Sequence, residues 1–316
     1  MKNSYLIILA VIMAAMLFFP LAASPLTPSK GDAVLTVSPT AEDTVRVKMS
    51  DGKVAEMETS DYLTGVVAAE MPAEYTEEAL KAQAVAARTF LAFKKEKNAK
   101  EDYDITADYT TDQAFLTEEE LKEKWADAFD ENYAKVTKAV KATQNEMLYF
   151  NGKPIMSVYH AVSSGKTEGA ENVWGEDYPY LTATDSIGDL LCPDYLSTVT
   201  VSADDFKKAF GEEIKLEGEA KGWLGKMENT ESGTVSKIII GGNEFKGSDL
   251  REKFSLKSSS FDLIFDGTNF VFTVRGYGHG VGMSQYGANY MAQQGSDYRE
   301  ILTWYYDGCE IKKALG

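Results

Sequence analysis

The sequence predicts an α+β fold in which helices and antiparallel hairpins share one folded unit. Between residues 60 and 91, apolar side chains recur at the three- and four-residue spacing of helices. Elsewhere, short apolar stretches flank turn dipeptides such as Asn151-Gly152, which is typical of hairpins. Strands and helices do not alternate regularly, so a parallel β-α-β sheet is not expected.

The hairpins are predicted from turn dipeptides between stretches with a period of two. Val45 and Val47 alternate with polar residues before the first turn, and Val54–Met57 forms the return strand. After the second turn, one strand is expected to run from Pro154 to His160. The predicted turns are Asp51-Gly52, Asn151-Gly152, Gly242-Asn243 and Asp266-Gly267.

The helices are predicted from capping residues. Ser, Thr and Asp side chains accept hydrogen bonds from the free N–H groups of a first helical turn. The first helix should end before Pro72, since proline disfavours helix in the preceding residue. At Thr117, Glu120 completes a capping box. The predicted helix starts are Ser60, Thr76, Thr117, Ser284 and Asp297.

Four segments are predicted along the chain. Residues 5–23 are uncharged and mostly apolar, and a stretch of this length can cross a membrane as a helix. A cleaved signal peptide is the alternative, with Leu21-Ala22-Ala23 as the cleavage site. With residues 5–23 as a transmembrane anchor, residues 1–4 are a cytoplasmic tip. In either case residues 24–43 form a Pro/Ser/Thr-rich linker and residues 44–316 a single exported domain.

Charge and cysteine content exclude some functions. The net charge is −17, and such a chain has no basic surface to replace the counterions of nucleic acid. Cys192 and Cys309 could form a disulfide outside the cytoplasm, a pairing that the sequence leaves open. The two His and two Cys lie far apart, so no metal site is expected.

Glu70 is the most informative candidate residue. It falls at helical spacing with Leu63, Val66 and Val67, so a carboxylate lies on the stripe expected to be buried. It also lies in the last turn, at the negative end of the helix dipole. Burial and dipole both raise the pKa of a carboxyl group, as general-acid cleavage of a glycosidic bond requires. A solvent-exposed terminal glutamate is the alternative.

Other candidates lie on the second helix and in two loops. Arg88 would orient a substrate or balance Glu70, although a lone helical arginine is usually a surface group. His160 precedes a polar Ser/Gly loop that would allow ligand contacts. The four glycines of residues 276–282 permit close approach of backbone to a ligand or another segment, with His279 lining the site.

Three blocks of the sequence resemble the stage II sporulation protein D family, SpoIID. The blocks follow the order of that family, and the resemblance extends over about residues 45–316. The blocks are Ala68–Glu74 with Glu78–Thr89, then Tyr159-His160 with Ser164–Glu168, Val173-Trp174 and Pro179–Leu181, and finally Gly278–Ala288.

The resemblance implies a lytic transglycosylase that cuts peptidoglycan glycan strands already stripped of stem peptides by an amidase. It implies action during engulfment of the forespore. A single-pass anchor in the mother-cell membrane would hold the domain between the two membranes. The implied partners are an amidase of the stage II protein P type and a membrane protein of the stage II protein M type. No cofactor is implied.

The resemblance also assigns roles to residues. Glu70 corresponds to the family's catalytic acid and Arg88 to its supporting arginine. The groove residues correspond to His160, Ser164, Lys166, Tyr180 and Gln285, and we add Gln83, His279 and Ser284 as expected substrate contacts.

A single catalytic carboxylate suits this reaction. Hydrolytic glycosidases use two carboxylates, whereas a lytic transglycosylase closes the sugar's own 6-hydroxyl onto C1. Some relatives carry a zinc cluster before a Gln-Ala-aromatic triplet, but Ala107–Phe115 contains no Cys or His, so no zinc is predicted. The alternative functions are an amidase enhancer that does not cut glycan and a sporulation scaffold.

Overall fold

The computed structural model describes residues 44–211 and 214–313. The predicted tip, apolar segment and linker (residues 1–43) lie outside the described residues. Within the described ranges, no helix is both long enough and apolar enough to cross a membrane. The described residues fall in one compact unit with two hydrophobic cores, so we distinguish a large lobe (44–195 and 276–313) from a small lobe (196–275).

The first part of the large lobe combines short strands with long helices. Strand β1 pairs antiparallel with β2 and parallel with β3, and β4 pairs with β5. The elements are β1 (Thr44–Lys48), β2 (Val54–Glu58), α1 (Thr59–Glu70), α2 (Glu77–Lys97), β3 (Ile105–Thr106), α3 (Glu118–Trp125), α4 (Phe129–Ala142), β4 (Glu146–Phe150), β5 (Lys153–Pro154), β6 (Tyr159–His160) and α5 (Ala170–Trp174).

The small lobe contains two three-stranded antiparallel sheets with two helices. Their strand orders are β11-β12-β7 and β10-β9-β8. Phenylalanines fill its core, with the rings of Phe206 and Phe270 only 3.9 Å apart. The elements are β7 (Leu196–Ser202), α6 (Ala203–Phe210), β8 (Leu224–Asn229), β9 (Val235–Ile240), β10 (Asn243–Phe245), α7 (Gly247–Phe254), β11 (Phe261–Phe265) and β12 (Asn269–Arg275).

The chain then returns to complete the large lobe. Strand β13 pairs parallel with β6, and β14 pairs antiparallel with β4. The elements are β13 (Met283–Ser284), α8 (Gln285–Gln293), α9 (Tyr298–Tyr305) and β14 (Glu310–Lys313). The carboxy-terminal segment thereby brings α8 against α2, which places residues from both ends of the described chain around one site.

Helix α2 is the centre of the large lobe. It packs against α1, α4, β4, α8 and α9. Its Ala82, Ala84, Ala86 and Ala87 are fully buried. Alanine favours helix and its small side chain lets neighbouring elements approach closely. A helix enclosed in this way gives the residues that it carries fixed positions.

The predicted α+β class and its hairpins are confirmed, with two local corrections. Helix α1 begins at Thr59 after Glu58, whose side chain forms no cap, so the N-cap prediction for Ser60 is wrong. The expected strand from Pro154 to His160 is also wrong. Of this stretch, Pro154 alone lies in β5, which pairs with β4, and β6 pairs instead with β13.

Candidate active site

Glu70 lies at the carboxyl end of α1, at the edge of a cleft in the large lobe. The helix ends there because Pro72 follows, and the intervening residue is already extended. Leu63, Val66 and Val67 on the same face are fully buried, while Glu70 is half-buried. The predicted stripe is therefore confirmed, and it holds the carboxylate where the core meets the cleft.

Hydrogen bonds fix both oxygens of the Glu70 carboxylate. Oε1 accepts from the backbone N–H of Ala114 at 2.8 Å. Oε2 accepts from Nε2 of Gln285 at 3.3 Å, and the same amide group lies 3.5 Å from Oε1 of Gln83. Gln83 and Gln285 are buried beside the acid. Gln285 thus holds the Glu70 carboxylate directly, and Gln83 holds Gln285. The substrate contacts predicted for these two residues stay predictions.

The surroundings raise the pKa of Glu70 above its ordinary value, chiefly because burial disfavours the charged form. The Ala114 N–H, the Gln285 amide and the Lys124 ammonium oppose this effect without cancelling it. The protonated acid is thus favoured more than in water. A carboxylic acid in this state can donate a proton to a leaving oxygen.

Two polar residues beside Glu70 were assigned no role by the sequence. The Tyr159 hydroxyl donates to Oε1 of Gln113 at 2.8 Å, and Nε2 of Gln113 donates to the Tyr62 hydroxyl at 3.2 Å. Burial, followed by the negative charge of Glu70, holds the pKa of Tyr159 well above its usual range. Tyr159 therefore stays neutral and polar in the cleft.

The cleft around Glu70 has a volume of about 440 Å³. This size suits a small-molecule or single-sugar ligand. Its walls combine the carboxyl end of α1, the 109–114 loop, β6 and the glycine-rich loop. The polar lining residues are Glu70, Tyr109, Asp112, Gln113, Tyr159, His160, Tyr277, His279 and Gln285.

The structure brings the two histidines together in this cleft, with ring centres 5.8 Å apart. Nδ1 of His160 lies 3.1 Å from the Val281 carbonyl oxygen, so it carries the proton, and Nε2 has no partner among the described residues. Nδ1 of His279 accepts from the Val281 N–H at 3.1 Å. Burial lowers the pKa of His160 to about 3, and burial with the charge of Arg251 lowers that of His279 to about 4.

The buried neutral state of His160 predicts a pH dependence of stability. The unfolded chain binds a proton at this residue below about pH 6.5, whereas the folded protein does so only near its lowered pKa of about 3. Between about pH 7.5 and about pH 5, His160 should therefore remove about 2 kcal/mol from the free energy of unfolding. The free energy of unfolding should be measured by denaturant for wild type and for His160→Asn across this pH range. It should fall less with decreasing pH in the variant. Parallel curves would contradict the neutral assignment.

The glycine-rich loop permits close backbone approach, as predicted. Gly276, Gly278, Gly280 and Gly282 all have positive φ, from 72° to 116°. A Cβ on Gly278 would come within 2.7 Å of the His160 Cβ. The glycines therefore allow the loop to lie directly on β6 and bring His279 to the cleft.

Arg88 is not among the residues that line the cleft of Glu70. It is buried, and it donates through Nη1 to the Thr143 carbonyl at 2.8 Å and through Nη2 to the Val140 carbonyl at 3.3 Å. These carbonyls end α4, where a cation stabilises the helix dipole. The contacts assign Arg88 to the end of α4, and its predicted catalytic role finds no support in them.

Ser164 and Lys166 lie on a second cleft between the two lobes. Ser164 donates to the Ser232 carbonyl oxygen, and Lys166 pairs with Glu231 and, at 3.9 Å, with Asp185. Both residues thus connect the large lobe to the small one. They do not line the Glu70 cleft.

Tyr180 and Ser284 have structural contacts. The buried Tyr180 hydroxyl accepts from the Met156 N–H at 3.1 Å. Ser284 caps α8 by accepting from the Gly287 N–H, and its hydroxyl donates to the buried Asp189 carboxylate at 2.8 Å. Ser284 therefore sets the start of the helix whose first residue is Gln285, which contacts Glu70.

Among the described residues, no cluster of His, Cys, Asp or Glu could hold a metal ion. In the loop that follows β3, Asp112 pairs with Lys94 and accepts from the Thr106 N–H at 2.8 Å, which orders this segment through protein contacts. Cys192 and Cys309 are both free thiols.

Comparisons with known proteins agree with these observations. Residues 48–150 match the SpoIID family, described as a stage II sporulation protein. The chain is 37% identical over 297 residues to stage II sporulation protein D of Bacillus subtilis (strain 168), covering 93% of this chain and 85% of that protein. It is 38% identical over 271 residues to the protein of the same name from Bacillus amyloliquefaciens, covering 84% and 78%. An amidase enhancer of Bacillus subtilis is 29% identical over 307 residues, covering 79% of this chain and 40% of that protein.

Proposed function

Because the chain belongs to the stage II sporulation protein D family, we propose that it is a lytic transglycosylase. Its substrate is the peptide-free glycan strand of peptidoglycan, and its product ends in 1,6-anhydro-N-acetylmuramic acid. The observation that supports this most is Glu70, a carboxyl group with a raised pKa in a polar cleft.

In the proposed reaction Glu70 acts first as acid and then as base. It donates its proton to the glycosidic oxygen, and the bond from that oxygen to C1 of N-acetylmuramic acid breaks. The 6-hydroxyl oxygen of the same sugar then bonds to C1 and its proton returns to Glu70. No water is consumed, and the acid ends in its starting state. The sugar's acetamido group and neutral dipoles such as Tyr159 would stabilise the cationic transition state.

The burial of Asp112, the second carboxylate of the cleft, favours intramolecular transfer over hydrolysis. Asp112 also borders the cleft, but its side chain is only 1% exposed and is engaged by Lys94 and the Thr106 N–H. Among the described residues lining the cleft, Glu70 is therefore the carboxyl group available to substrate. Hydrolytic glycosidases need a second carboxylate to activate water or to act as nucleophile.

A labelled-water experiment tests this proposal. The full chain is incubated with amidase-stripped glycan strands in water enriched in heavy oxygen, and the product ends are analysed by mass spectrometry. We expect anhydro ends without the label. Labelled reducing ends would indicate hydrolysis instead, and an absence of new ends would overturn the enzymatic proposal.

The pH dependence of the reaction should report Glu70. The first step needs the protonated acid, so kcat/KM should fall as pH rises through the raised pKa of Glu70. The Gln285 amide stabilises the ionised form. Gln285→Leu should therefore raise this pKa further and move the alkaline limb to higher pH. Gln293→Leu, at the exposed end of α8, is the control and should leave the limb in place. A limb that moves to lower pH in Gln285→Leu would contradict the assignment.

An amidase enhancer is the second candidate function, since one relative carries that name. Such a protein would bind wall and amidase without cutting glycan. The discriminating measurement is amidase turnover on intact peptidoglycan with wild type and Glu70→Gln. An enhancer would accelerate the amidase equally in both forms and would release no anhydro ends.

In this proposal the enzyme works outside the cytoplasm, between the mother-cell and forespore membranes, with the apolar residues 5–23 as its anchor or export signal. An amidase of the stage II protein P type would supply the peptide-free strands. A membrane protein of the stage II protein M type would be the membrane partner of that amidase.

A further inference from the structure

The cleft between the lobes adjoins the cleft of Glu70. Its volume is about 350 Å³, and Gly278 and His279 line both clefts. Its walls are polar and come from the loop after β6, α5, α7 and the end of β12. Trp174 lies on one wall, 42% exposed, with its ring centre 5.3 Å from that of His279.

Among the described residues, two cations that line this cleft form no ion pair, the exposed Lys246 and the half-buried Arg251. Lys166 pairs with Glu231, and Arg275 pairs with Asp262. Arg251 is half-buried on α7, and among the described residues its guanidinium forms neither an ion pair nor a side-chain hydrogen bond. A charge withdrawn from water without a partner is costly, so its retention points to an anionic ligand.

The position of Arg251 connects it to the candidate active site. Its charge lowers the pKa of His279 and of His160, so it acts at the junction of the two clefts. The whole chain carries a net charge of −17, which repels polyanions. An unpaired cation at this point would offset that repulsion locally for a ligand that enters both clefts.

We propose that the cleft between the lobes is a carboxylate subsite, in which Arg251 binds the free lactyl carboxylate of a peptide-free N-acetylmuramic acid. This inference rests on the proposed function. The planar guanidinium matches a carboxylate with two parallel hydrogen bonds, and Trp174 offers an apolar surface to the sugar face. A stem peptide would convert the carboxylate to a neutral amide and remove the ionic contact. Arg251 would thereby make the protein selective for stripped strands.

A binding experiment separates this role from catalysis. The full chain carrying Glu70→Gln is titrated with short peptide-free strands, and with the same strands whose carboxylates have been converted to neutral methylamides. Adding Arg251→Gln should weaken binding of the carboxylate strands by about tenfold to a hundredfold, since hydrogen bonds to charged groups contribute about 1.5–3 kcal/mol. Binding of the methylamide strands should not change. Arg251→Lys should retain part of the preference.

The control is Lys237→Gln in the same lobe. Lys237 lies on the exposed surface of β9, pairs with Glu244, and does not line the cleft. This variant removes one positive charge without changing the subsite, so the preference for carboxylate strands should persist. If Lys237→Gln lost this preference to the same extent, net charge alone would explain the effect and the subsite would be overturned.

The subsite and the proposed enzyme can fail separately. If folded Arg251→Gln binds both kinds of strand equally less tightly, or binds both as wild type does, the subsite is overturned. Anhydro products from wild type would still support the proposed enzyme. If Arg251→Gln weakens binding of the carboxylate strands alone and wild type forms no anhydro products, the subsite is supported and the proposed enzyme is overturned.

Discussion

Glu70→Gln is expected to lower the rate of anhydro-end formation by about 10²- to 10⁴-fold, the usual contribution of a positioned general acid. Glutamine keeps the size of the side chain and an oxygen that can accept from the Ala114 N–H. It cannot donate a proton to the leaving oxygen. The rate constant should therefore fall while strand binding stays close to that of wild type.

The stability of this variant gives an independent check. Burial raises the pKa of Glu70, so folding disfavours its ionised form at neutral pH. A neutral glutamine removes this penalty, and the melting temperature should not fall. Glu74→Gln, four residues further along the chain and exposed, is the matched control and should keep full activity. Undiminished turnover by Glu70→Gln would refute the assignment of the acid.

The sequence predicted those elements whose signals are local. The caps at Thr76, Thr117 and Asp297 hold because each side chain accepts from N–H groups two or three residues away. The pairing of β6 with β13 was missed because the two strands are far apart in sequence. The contacts of Arg88 could not be predicted for a similar reason, since its carbonyl partners lie at the end of α4, more than fifty residues away.

The candidate site shows the same division. Glu70 was identified because its apolar stripe lies within one helix. The groups that fix its carboxylate come from Ala114, 44 residues away, and Gln285, 215 residues away. Residue type also does not reveal which cations are paired. The unpaired state of Arg251 became visible only when its surroundings in the cleft were known.

Gly282→Ala should be the most destabilising single change in the glycine-rich loop. Gly282 has φ of 73°, and an added Cβ would overlap the Val158 carbonyl oxygen. The positive φ costs an alanine about 1–2 kcal/mol, and the overlap adds about 1–3 kcal/mol because the backbone of the neighbouring segment must move. The free energy of unfolding should therefore fall by about 2–5 kcal/mol.

Gly280→Ala separates the two contributions. Gly280 also has a positive φ, 82°, but its added Cβ would lie 3.4 Å from the Glu168 Cβ, an ordinary contact. Denaturant unfolding should show a small decrease in the free energy of unfolding for Gly280→Ala and a larger decrease for Gly282→Ala. The difference measures how closely the loop approaches the chain before β6. Equal losses would mean that backbone conformation, and not close approach, accounts for the glycine at 282.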